Sequence, residues 1–375
     1  MTGLFSRLRP APAWTVETFG HGCALRNKPA RPSLQASLRL WAASLLIGPM
    51  LAGTALQAAC SGTDLRATAT PEIRAEVDAE LAQTPYAEGL SWIATRGERR
   101  LHIIGTMHLN DPRHAALVAH MTPVVEGADA VLLEVNRADK AALNRTLAET
   151  PSMMFITEGP TLIDRLPEED WQQIADQARA AGVPAFMAAK MRPWFLTMSL
   201  SVPQCARTIK DVTRGLDMQL MEVAEAAAVP TLSLEDPLSV FQLLDAAPLE
   251  QQVAELRGYI AMMGVGPDDF YTMVESYFDG AVQEFTLLQL KDYLTAESSL
   301  SEAERQAQVD ELMELLLYQR NRNWIPVIEA TPGSRLVVAV GAAHLPGPPG
   351  VLALLDAAGS ELAAAPLWPA PPRGL

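Results

Sequence analysis

The sequence predicts an α/β fold: a central β-sheet with two pseudo-symmetric strand–Gly-x-x-His halves and a large helical insertion between them. Two observations come from the ends of the body. Leu101-His102-Ile103-Ile104-Gly105-Thr106-Met107-His108-Leu109 and Val337-Val338-Ala339-Val340-Gly341-Ala342-Ala343-His344-Leu345 share one pattern, an apolar run followed by Gly-x-x-His-Leu. Short apolar runs bounded by glycine read as buried strands, and the glycine is expected to let the chain turn at the strand end. The third observation is the stretch between them, where apolar residues recur at helical spacing rather than in alternation.

The elements follow in order. Residues 61–87 form a polar linker, with a short helical candidate over Pro71–Leu81. Gly89–Thr95 and Arg100–Ile104 are strands joined through Arg96-Gly97-Glu98-Arg99, a glycine-containing hairpin turn. An amphipathic stretch, His114–Glu126, precedes a third strand, Ala130–Val135, so the opening reads ββαβ. Pro167-Glu168-Glu169-Asp170 puts acids in a first helical turn, where the macrodipole favours them, and Val183-Pro184 ends that helix. Met191–Leu200 and Gly215–Ala228 are helical, Pro230–Asp236 holds a short strand, and four helical stretches run from Pro237 to Asn323. Arg335–Val340 is the last strand and Gly350–Ala358 the last helix of an α/β body spanning 88–358. Residues 359–375 are expected as a Pro-rich, frayed tail.

Charge separates the first residues from the rest. Of a net charge of -15, residues 1–40 contribute +5, leaving -20 for the remainder. An acidic body lacks the clustered Lys and Arg that phosphate binding needs, which argues against nucleic acid as a partner. Basic residues, the uncharged apolar stretch Leu40–Leu56 and then Ala58-Ala59-Cys60 read as a signal or anchor segment over 1–60 with a long basic start. The chain is therefore expected to be exported, as a periplasmic or envelope-anchored protein. Membrane attachment would run through that segment or through a lipidated Cys60, although Gln57 stands where a lipidation signal favours an aliphatic residue. Cys205 is the one cysteine certain to lie in the body, so no disulfide within the body and no thiolate metal cluster are expected.

His108 and His344 are the leading candidates for chemistry, because sites in α/β sheets form beyond the carboxyl ends of strands. Glu134 sits in an apolar strand, where a carboxylate is either exposed at the edge or buried with a partner. Two imidazoles and one carboxylate make a donor set for a divalent ion (Mn, Co or Zn), with positions left for water. Arg320 and Arg322 lie near the end of a long helix; either could bind a developing anion, or both could be cations near a helix C-terminus. His102 reads as a packed histidine, His114 as a helix cap, and His21 and His120 carry no signal.

Together these segments resemble the TraB/GumN family, related to PrgY and the Tiki proteins. The resemblance rests on Ile103–His108 and Val340–Leu345, the Val131–Glu134 strand, Thr161–Pro167, Met191–Trp194, Gly215-Leu216-Asp217, Leu234-Glu235 and Arg320-Asn321, in that family's order. It implies an α/β fold of pseudo-symmetric halves. For the Tiki branch it implies metal-dependent proteolysis of an extracellular signalling protein; for GumN-like members, an association with exopolysaccharide production. Carried over by motif, the metal ligands would be His108, His344 and Glu134, with Glu134 and Arg320 as catalytic groups. The expectation is a metal-dependent hydrolase acting on peptides or proteins. The alternative is an envelope protein that binds a peptide or saccharide without turnover.

Overall fold

The computed structural model describes residues 61–201, 204–262, 266–295 and 301–367. The signal or anchor reading of residues 1–60, Cys60 included, lies outside them. Six strands form one mixed sheet: β1 (Ser91–Arg96), β2 (Arg99–Thr106), β3 (Ala130–Leu133), β4 (Thr231–Ser233), β5 (Arg335–Gly341) and β6 (Glu361–Ala364), ordered β4-β3-β5-β2-β1-β6. The β1–β2 hairpin turns at Gly97, whose φ of 61° suits a residue without a Cβ. β2, β5, β3 and β4 run parallel. The expected α/β architecture holds, and the opening ββαβ is present.

The pairing of β2 with β5 brings the distant motifs together. Gly105 is level with Val340 and Thr106 with Gly341, so both Gly-x-x-His segments leave the middle of the sheet side by side at the carboxyl ends of their strands. The central strands read as near-continuous apolar runs because both faces are covered. Val337 and Ala339 pack with Leu117, Leu220 and Tyr277 on one side; Leu336, Val338 and Val340 pack with Trp324, Ile328 and Leu352 on the other. The helical insertion builds its own core around Leu162, Trp171, Ile174 and Leu196, joined by Val253 and Leu256.

Two expectations change. Residues 61–87 are more than a linker: the Pro71–Leu81 helix, N-capped by Thr70 and with Pro71 in its first turn, buries Val77 against Leu287 and Leu288. The segment after 358 is not all tail, because Glu361–Ala364 pairs antiparallel with β1 and completes the sheet edge. Its four residues are too few to show alternation against the proline-rich background. Cys205 is disulfide-bonded. Among the described residues no helix is long and apolar enough to cross a membrane.

Candidate functional site

The site lies beyond the carboxyl ends of β2, β3 and β5, where the parallel strands direct their last residues outward. β3 ends at Leu133, so Glu134 stands just past the strand rather than within it, with its side chain 14% exposed. Its carboxylate is held from two sides. Gly341 N–H donates to Oε1 at 2.7 Å, and Arg320 Nη2 donates to Oε2 at 2.7 Å. His108 Nε2 lies 3.6 Å and His344 Nε2 3.9 Å from the same Oε1. The four predicted residues therefore meet around one carboxylate. Arg322 does not join them; it pairs with Glu314 at the surface.

The two motif glycines serve close approach rather than turning. Gly105 lies inside β2, and Gly341 has φ −51°, a value open to any residue. A Cβ on Gly105 would meet Leu345 Cδ1 at 2.8 Å and Ala342 Cα at 3.1 Å, so each motif is packed against the other. A Cβ on Gly341 would lie 3.2 Å from Glu134 Oε1, 3.3 Å from His108 Nε2 and 3.4 Å from His344 Cδ2. The absent side chain leaves the space between all three groups.

Residues that the sequence reading left without a role complete the arrangement. Gly215 caps the Leu216–Ala226 helix against the His108 loop, where its Cβ would strike Met107 O at 2.3 Å; Leu216 N–H donates to that oxygen at 2.9 Å. This docking brings Asp217 Oδ1 to 3.3 Å from His108 Nδ1, and that buried oxygen has no aligned hydrogen bond. Glu235, one residue past Leu234 at the end of β4, accepts Arg320 Nε at 3.0 Å and Nη2 at 2.5 Å, and Trp324 Nε1 at 3.2 Å. Trp324 is fully buried and packs its indole 4.4 Å, centroid to centroid, from the His344 ring. Asp217 and Glu235 were visible only as parts of motifs. Their partners lie 109 and 85 residues away, so nothing local marked their roles.

Arg320 has no free donor. Beyond Glu134 and Glu235, its Nη1 donates to Leu316 O at 2.8 Å and approaches His344 Nε2 at 3.3 Å. Leu316 belongs to a π-turn, Glu314–Tyr318, that leads into the Gln319–Ala330 helix. Such turns offset the regular carbonyl ladder and recur at functional positions.

The two histidines differ electrically despite their matching motifs. His108 has 57% of its side chain exposed; the part that is desolvated lowers its proton affinity, but Asp217 and Glu134 outweigh this and raise its pKa to about 10. His344, 4% exposed, is lowered to about 4, chiefly by burial, against the opposing pull of Glu134. Burial also opposes ionisation of Glu134, yet His108, His344 and Arg320 together hold its pKa well below the usual carboxylate range. His114, expected as a helix cap, is instead fully buried against Tyr277 and Phe278 and is lowered to about 4 by burial.

A pH dependence follows. A histidine whose folded pKa lies below its unfolded value stabilises the neutral form, so stability falls as pH drops from about 6.5 towards 4. His114→Leu is expected to flatten this acid limb by up to about 3 kcal/mol, checked by urea unfolding at pH 7 and pH 4.5. His108 acts oppositely: its contribution is present below about pH 6.5 and disappears as pH rises towards 10.

Among the described residues, no group of three or more His, Cys, Asp or Glu side chains is arranged to hold a metal ion. A model of the TraB/PrgY/gumN family matches residues 90–364. The chain is also 24% identical over 255 residues to the protein YbaP of Escherichia coli K12, covering 68% of this chain and 87% of that relative. YbaP of Shigella flexneri matches with the same identity and coverage.

Proposed function

The chain belongs to the TraB/PrgY/gumN family, and on that footing we propose that it is a metal-dependent hydrolase of the bacterial envelope, with peptides or proteins as substrates. One observation carries the reading: the Nε2 atoms of His108 and His344 converge on a single oxygen of Glu134 around the space left by Gly341. Two donors bound to one zinc-sized ion at ~2.0–2.1 Å stand roughly 3.3–3.5 Å apart, so the separations of 3.6 and 3.9 Å need little contraction. Charge also fits. Once the ion displaces the proton held by His108, the carboxylates of Glu134, Glu235 and Asp217 face the single guanidinium of Arg320, leaving two negative charges for a divalent ion to offset.

In this reading His108, His344 and Glu134 hold Zn, Mn or Co, which supplies Lewis acidity towards a scissile carbonyl and its attacking water. Glu134 has a depressed proton affinity, which suits an anionic ligand better than a general base. Arg320 fixes Glu134 in place, since its donors are already engaged. His108 is the exposed member, so substrate approaches from its side. The apolar segment within residues 1–60 supports export, with attachment through that segment or through Cys60.

Elemental analysis of the full chain is expected to find about one equivalent of metal in the wild type and none in His108→Ala/His344→Ala. Hydrolysis of a peptide library should be lost in that variant and on chelation. Hydrolysis that survives both would overturn the reading.

A further inference from the structure

We infer that Asn321 is a positioning residue that sets which nitrogen of His344 faces the site. Asn321 is 1% exposed on the Gln319–Ala330 helix. An asparagine amide can be placed either way round, so its orientation has to come from its surroundings. Here the surroundings decide it. One end of the amide faces two backbone carbonyls, Pro349 O at 2.9 Å and His344 O at 3.4 Å, and only an NH2 group can donate to both. The other end is therefore the oxygen, and it lies 2.6 Å from His344 Nδ1. A carbonyl oxygen cannot donate, so Nδ1 carries the proton and Nε2 presents a lone pair.

That nitrogen faces the site, where Arg320 Nη1 approaches it as a donor at 3.3 Å and Glu134 Oε1 lies 3.9 Å away. Trp324 packs against the imidazole and limits its rotation, while Asn321 fixes its proton. The two constraints are independent: packing alone leaves both tautomers open, and the amide removes one. Residues behind a metal-bound histidine act in this way, fixing ring and tautomer through the nitrogen that faces away. Asn321 also holds the chain at two points, the His344 carbonyl in the second motif and the Pro349 carbonyl just beyond it. The same side chain thus anchors the loop that delivers the imidazole.

The inference has one arm independent of any metal and one that rests on the proposed metal site. In 15N-histidine-labelled full chain without added metal at pH 7.5, His344 should show the Nδ1–H tautomer, with an exchange-protected, downfield Nδ1 proton. Asn321→Leu should remove that protection and shift the tautomer balance at least tenfold; Asn321→Asp, which keeps an acceptor, should leave Nδ1 protonated. An Nε2–H tautomer in the wild type would overturn the inference, as would an Nδ1 proton signal unchanged in Asn321→Leu. Should Asn321→Leu fail to fold, the wild-type and Asn321→Asp spectra still decide. In the second arm, zinc titration of the full chain should be weakened about 10–100-fold by Asn321→Leu. If the wild type takes up no zinc, the metal reading fails while the tautomer measurement still stands.

Discussion

Arg320→Met is expected to destabilise the folded chain by about 3–5 kcal/mol, among the largest effects of any single change to the described residues. The side chain is 13% exposed and touches two carboxylates of similar exposure, Glu134 at 14% and Glu235 at 10%. Methionine fills much of the same space along the Trp324 face but supplies no charge and no donor. Both carboxylates would then stay buried without the guanidinium they share, and Leu316 O would lose its side-chain donor. An isolated buried charge costs far more than the intact pair stabilises, which is why removing one member is the damaging change. The urea midpoint of the full chain checks the magnitude. A second substitution separates charge from packing: Glu235→Gln in the Arg320→Met background removes one stranded charge and should restore part of the loss, a coupling of at least about 1 kcal/mol. If the double variant is no more stable than Arg320→Met, the loss is one of packing. Arg320→Lys should not substitute, because a point charge cannot span Glu134 and Glu235 as the planar fork does.

Much of this arrangement was legible in the sequence, and the part that was not has a common physical origin. The apolar runs before Gly105 and Gly341 marked two buried strands, and their shared ending placed both histidines at strand ends. Parallel pairing of β2 with β5 makes that likeness spatial. Glu134 was legible because a carboxylate in an apolar run must be either exposed or partnered, and it is partnered. Residues whose value depends on distant neighbours stayed unread. Asp217 and Asn321 look like an ordinary first-turn acid and an ordinary polar helix residue; only the folded chain sets them behind His108 and His344. His114 looked like a cap because it opens a helix, whereas burial against Tyr277 and Phe278 determines its state. β6 escaped because an edge strand of four residues needs only one neighbour and carries no periodicity of its own.

The glycines of the two motifs separate fold from function most cleanly, because the same substitution should have opposite consequences at each. Gly105→Ala drives a Cβ into Leu345 and the Ala342 backbone, where the second motif packs, so it should cost about 1–3 kcal/mol of stability. Gly341→Ala meets no backbone: the nearest atoms are side-chain atoms of Glu134, His108 and His344, at 3.2–3.4 Å. Its φ of −51° accepts alanine without strain, and its N–H can still donate to Glu134 Oε1. The fold should therefore survive, with a change below about 1.5 kcal/mol, while the methyl group occupies the space on which the three polar groups converge. Zinc affinity and peptide hydrolysis are each expected to fall by about 10–100-fold, an effect as large as losing a ligand's hydrogen-bonded support. Unfolding curves and zinc titration of the two variants, side by side, make the comparison. Gly341→Ala with both stability and zinc affinity intact would place the site elsewhere. Stability intact and affinity lost would locate it in the gap between His108, Glu134 and His344, where the first and last long strands of the body end side by side.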